Sequence, residues 1–171
     1  MSQPYTTAQM TIDCLNFIQA IDALSPSFAL FYRVQMEIGS RFHELTDITR
    51  FQMYGDEKIL FQPAKGNNLR ALYVSDLQPK FVRMVELQES YFDRVNYFTS
   101  NRYFQNYFPR QIHLYNGLFA SKRINAYIFR YRKFKLLAES GLPLEDIGQI
   151  MGEIDIKNVE GYVNADIRVN I

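Results

Sequence analysis

The chain has 171 residues and a formal net charge of +1, with 47% apolar and 22% charged residues, which suits one globular domain and excludes a disordered or fibrous chain. No apolar run reaches the roughly 18 residues of a membrane span, and the opening MSQPYTTAQM lacks the basic and apolar regions of a signal peptide. A lone Cys14 allows no internal disulfide, and two distant histidines (His43, His113) make no zinc site, so the expectation is a cytoplasmic domain with no metal and no cofactor.

In chain order, residues 7–23 space Met10, Cys14, Ile18 and Ile21 as one face of an amphipathic helix. The SPS at 25–27 breaks it and offers serine caps for a second helix over 27–38; a short third follows in RFHELTDI. KILFQP and RALYV, separated by AKGNN, read as a β-hairpin with Gly-Asn at the turn. Helical spacing returns from Asp76 to about Val95, and again from about Ala120 to Leu137, where SGLP ends it. LEDIGQIMG starts a shorter helix and 155–162 a last one, while 96–118 carries no clear pattern. The expected fold is mainly α (α+β), a single domain over 1–171 with a small antiparallel sheet.

Charge is distributed unevenly. Residues 101–137 hold eight basic side chains and no acidic one, interleaved with Tyr and Phe; residues 138–171 hold two basic and seven acidic. Cations with aromatic rings between them suit a polyanion, and Lys122, Arg123, Arg132, Lys133 and Lys135 are the expected contacts to it. The alternative is a core of aromatics with solvated cations around it. Glycine loops for nucleotides, metal-binding helix pairs and serine elbows are all missing from the sequence.

Five elements in order carry more than any one alone. They are Arg41-x-x-Glu44-Leu45, Lys65 at the hairpin tip, Tyr127-x-x-Arg130, the helix–Gly–helix segment ending Met151-Gly152-Glu153, and Tyr162 nine residues later. This order resembles the catalytic domain of the tyrosine recombinases, the phage integrase family, over about residues 7–163. The resemblance implies a site-specific DNA recombinase or integrase that cuts and rejoins double-stranded DNA through a 3′-phosphotyrosyl intermediate. Tyr162 would be the nucleophile, Arg41 and Arg130 the clamps on the scissile phosphate, and Lys65 the acid that protonates the leaving 5′ oxygen. These types suit the chemistry: guanidinium forks match phosphate oxygens, and a mobile ammonium can deliver a proton.

Two positions depart from the family pattern. Tyr127 stands where the family has histidine, and Glu153 where it has histidine or tryptophan. A carboxylate about 4 Å from a phosphate costs about 4 kcal/mol at an effective dielectric near 20, unless an arginine neutralises it. Glu153 therefore either orients Arg41 or Arg130, or marks a degenerate relative that only binds DNA or regulates a partner. A hairpin telomere resolvase is the third reading. His43 and His113 read as structural. The resemblance also implies a homo-oligomer on DNA in a prokaryotic or viral context, with the family's N-terminal core-binding domain absent. The alternating Ile167, Val169 and Ile171 suit a strand added to a neighbouring subunit.

Overall fold

Capping chemistry sets the first two helices. In the computed structural model, which describes residues 2–90 and 127–170, Thr6 and Gln9 form a reciprocal capping box that starts helix α1 (Thr7–Leu24). Ser25 accepts from the Phe28 N–H and Pro26 opens α2 (Pro26–Ile38), one residue earlier than the spacing predicts. Helix α2 ends at Gly39, whose φ of +66° and close approach to Lys133 and Met151 leave no room for a Cβ. A single turn, α3 (Phe42–Leu45), follows.

The sheet has three antiparallel strands, β2 (Phe51–Tyr54), β3 (Lys58–Phe61) and β4 (Arg70–Tyr73), in that order. The sequence reading found the β3–β4 hairpin and missed β2, because the Phe51-Gln52-Met53-Tyr54 run has apolar rings on both faces and hides its period of two. Phe51 pairs with Phe61 and stacks on it at 4.7 Å. The hairpin turn also differs from expectation: Lys65 (φ +63°) and Gly66 (φ +69°) are its centre, closed by Asn67 N–H to the Ala64 carbonyl. Two consecutive left-handed residues define a type I′ turn, so the turn is Lys-Gly rather than Gly-Asn.

Helix α4 (Pro79–Ser90) covers the sheet, with Phe81 edge-on to Phe51 at 5.0 Å. Asp76, where the spacing starts this helix, instead closes a separate 3-10 turn (Val74–Asp76). Helix α5 (Ile128–Glu139) runs through the centre, against α1 and α2 on one side and against α6 (Leu144–Met151) and α7 (Ile156–Val163) on the other. The predicted helix start near Ala120 and the segment 96–118 lie outside the described residues.

Two cores flank α5. The larger is built round Phe17, Tyr32 and Phe129, whose ring centroids lie 4.8–6.2 Å apart. Truncating one such ring to alanine costs about 3–5 kcal/mol. The smaller joins Phe134, Ile147, Met151 and Val159, with Tyr162 packed against it.

The tail does form a strand, but inside the chain: β5 (Arg168–Asn170) pairs antiparallel with β1 (Ser2–Pro4) at the other terminus. Tyr5 N–H to the Ile167 carbonyl and Arg168 to Ser2 complete the join. Edge groups expected to seek another subunit are satisfied locally.

Candidate active site

Arg41 follows the α2 terminus directly, and the two backbone carbonyls at that terminus fix where it starts. Arg70 on β4 donates to the Ile38 carbonyl and Arg130 on α5 to the Gly39 carbonyl, at 2.8 and 2.9 Å. Exposed carbonyls at a helix end attract cations, and here two buried guanidinium groups meet them. Arg70 also donates to the Ile150 carbonyl at 2.8 Å, so β4 joins the ends of α2 and α6. Its burial with little compensation, next to the Arg130 charge, pushes the Arg70 guanidinium down to about 9.

The Arg41 side chain is gripped by two carboxylates. Nη1 donates to Glu44 Oε2 at 3.3 Å and Nη2 to Glu153 Oε2 at 3.0 Å. Burial lowers the Arg41 guanidinium, but Glu44, Tyr162 and Glu153 around it outweigh that and leave it raised. Glu44 also accepts from the Arg41 N–H at 2.7 Å and from the Ala64 N–H at 2.6 Å, binding the Arg41 segment to the residue before Lys65.

Glu153 Oε2 accepts a second guanidinium, Arg130 Nη2, at 3.3 Å, and Asn158 donates to Oε1 at 3.2 Å. Both the Arg130 and Glu153 side chains are only 2% exposed. The Arg130 guanidinium lies 4.9 Å from the ring centroids of Phe134 and Tyr162, which stack on each other at 4.4 Å. Tyr162 thus comes into place on α7 with its ring against the Arg130 cation.

Above this floor opens a cleft of about 490 Å³, whose lining includes Arg41, Lys65, Tyr127 and Tyr162. Arg130 and Glu153 lie beneath it rather than in its wall. His43, Tyr131, Lys157 and Asn158 also line it. Neither His43 nor Lys157 is among the site residues expected from the sequence. The available signal was nearness in the chain: His43 is two residues beyond Arg41, and Lys157 lies five residues before Tyr162 on the same helix.

The basic residues of α5 are divided among three neighbours instead of forming one face. Arg132 donates to Thr11 on α1 at 2.7 Å, and Lys133 lies against Gly39. Lys135 donates to the Val163 and Ala165 carbonyls at 3.2 and 2.7 Å, closing the end of the Tyr162 helix. Burial lowers both Arg132 and Lys133. Arg132 and Lys133 stand about 100° apart and Lys133 and Lys135 about 200° apart around a central helix, which explains the dispersal. Lys122 and Arg123 lie outside the described residues. Among the described residues no helix is long and apolar enough to cross a membrane.

No protein-family model and no curated protein matches the chain. Solved structures do. A XerH site-specific recombinase bound to a palindromic difH substrate in a post-cleavage complex aligns at TM-score 0.61 and 16% identity, over 90% of this chain and 48% of that one. The XerH pre-cleavage complex with difH aligns at 0.60 and 18% identity, covering 90% and 49%. A XerA recombinase aligns at 0.59 and 15%, covering 90% and 58%. This chain therefore spans about half the length of the structures it resembles. Their shared architecture, with helices around a small antiparallel sheet, establishes the fold: the chain has the catalytic-domain fold of the tyrosine recombinases.

Proposed function

We propose that the chain is the catalytic part of a site-specific DNA recombinase that cuts and rejoins double-stranded DNA through Tyr162, acting as an oligomer on its site. The observation that carries this reading is the convergence of Arg41, Lys65 and Tyr162 on one cleft over the buried Arg130. These residues are spread over 122 positions of sequence, and a merely structural role requires no such meeting.

In the proposed step Tyr162 Oη attacks the scissile phosphorus. The O–P bond forms as the P–O5′ bond breaks, the Lys65 ammonium passes its proton to O5′, and the phenol proton leaves to solvent in the open cleft. The products are a 3′-phosphotyrosyl enzyme and a free 5′-hydroxyl; attack by another 5′-hydroxyl reverses the step and needs no ATP. Arg41 offers donors to the phosphate oxygens, and Arg130 adds positive charge behind the Tyr162 ring. The test is a nicked duplex that loses its 5′-end on cleavage. Wild type accumulates a covalent adduct and Tyr162→Phe does not; an adduct with the Phe variant refutes the nucleophile.

A second reading has its own observation. Arg41 and Arg130, the two arginines nearest Tyr162, are matched in charge by Glu44 and Glu153. A protein that binds DNA without cutting it tolerates such neutralisation. It predicts salt-sensitive binding that survives Tyr162→Phe, with no adduct on any substrate.

A further inference from the structure

The loop that presents Lys65 is stitched down on both sides. On one side, Ala64 N–H donates to Glu44 Oε2 at 2.6 Å. On the other, Asn68 N–H donates to the Gly152 carbonyl at 2.9 Å, and Asn67 Oδ1 accepts the Ile154 N–H at 3.3 Å. These last two bonds straddle Glu153. Gly152 sits so close that a Cβ there would meet the Asn68 carbonyl oxygen at 2.6 Å.

Asn67 is 8% exposed, and each of its polar groups named here points inward. Its N–H closes the turn on Ala64, its carbonyl accepts from Gln62 Nε2 at 2.8 Å, and its side chain holds Ile154. Two residues before it, Lys65 keeps a φ of +63°, a conformation costing a lysine about 1–2 kcal/mol. Such a conformation persists where its surroundings over-determine it, and Asn67 supplies much of that determination.

We infer that Asn67 is the positioning residue for Lys65: by fastening the turn to the segment around Glu153 it aims the ammonium into the cleft where the leaving oxygen is protonated. This rests on the proposed role of Lys65 as the acid, and the test separates the two. A displacement of about 1 Å at a catalytic group costs about 100-fold, so Asn67→Ala is expected to slow cleavage by about 10- to 100-fold.

The experiment compares one duplex carrying either oxygen or sulfur at the 5′ bridging position of the scissile phosphate. A thiol, with pKa about 8.5, leaves as thiolate and needs no acid. Lys65→Ala is expected to lose cleavage on the oxygen substrate and regain it on the sulfur one. Asn67→Ala follows the same pattern, and Asn67→Asp, which retains an acceptor for the Ile154 N–H, restores cleavage of the oxygen substrate. If Asn67→Ala does not fold, Asn67→Ser, too short to reach Ile154, is measured in its place. Asn67→Ala, or Asn67→Ser in its place, cutting the oxygen substrate at the wild-type rate or equally slowly on both substrates overturns the inference, and so does Asn67→Asp cutting the oxygen substrate no faster than they do. Absence of sulfur rescue for Lys65→Ala itself instead removes the acid role from Lys65.

Discussion

Glu153 and Arg41, 112 residues apart in sequence, meet at 3.0 Å through a carboxylate and a guanidinium that are both largely shielded from solvent. The same carboxylate oxygen also holds Arg130. Glu153 is therefore an internal anion seated between the cations that a phosphate would use. It orients both arginines and, on the proposed function, opposes the negative charge of an incoming phosphate.

Glu153→Gln keeps the shape and removes that opposing charge. DNA affinity is expected to rise, with the slope of log K against log salt steeper by about 1. Stability falls by about 3 kcal/mol, because two buried guanidinium groups lose their shared partner. Binding isotherms across a salt series, with a urea melt, read both effects; an unchanged slope means that Glu153 does not oppose phosphate.

Lys65 occupies a backbone conformation that asparagine tolerates better. Lys65→Asn is expected to raise stability by about 0.5–1 kcal/mol in urea unfolding while abolishing most cleavage. A stabilised variant that still cuts normally shows that the lysine is in this turn for some reason other than acid catalysis.

The Lys157 ammonium lines the cleft, and among the described residues no acidic side chain pairs with it. With Arg41 and Arg130 matched by carboxylates, Lys65 and Lys157 are the cleft-lining cations left to attract an anion. Lys157→Gln is expected to weaken DNA binding alike on specific and random sequence and to lower the salt slope by about 1. Lys80→Gln, on the exposed start of α4 and away from the cleft, is the control and leaves the slope unchanged.

Burial pushes the Cys14 thiol up to about 12, against a usual value of 9.0. The folded state thus holds a proton that the unfolded chain releases above pH 9. The associated stability is complete below pH 9 and is lost progressively as pH rises toward 12, by up to about 1.4 kcal/mol per pH unit. Cys14→Ala is expected to flatten the fall in urea midpoint over that range, and native Cys14 resists thiol reagents at pH 8.

Local signals carried much of the fold into the sequence. Ser25 and Gly39 bound α2, and the apolar stripe of α1 reappears as Met10, Cys14, Ile18 and Ile21 in the core. The order of Arg41, Lys65, Tyr127, Arg130, Glu153 and Tyr162 pointed to the fold that the comparison with solved structures found. What stayed hidden depends on pairs distant along the chain. Nothing near Arg130 announces that it is buried, because its carboxylate partner lies 23 residues on and its carbonyl partner 91 residues back. The basic run on α5 looked continuous because composition does not record direction; only the helix's central place sends Arg132, Lys133 and Lys135 to different neighbours. The β1–β5 pairing joins the two chain ends, and an alternating tail does not name its partner.

The chain has 12 tyrosines, and the account turns on one of them. The most direct measurement is mass spectrometry of the peptides left after the trapped protein–DNA complex is digested with trypsin and nuclease. The account predicts a residual nucleotide on the peptide 158–168, attached at Tyr162. A nucleotide on any other residue, or a complex with no covalent bond, contradicts it.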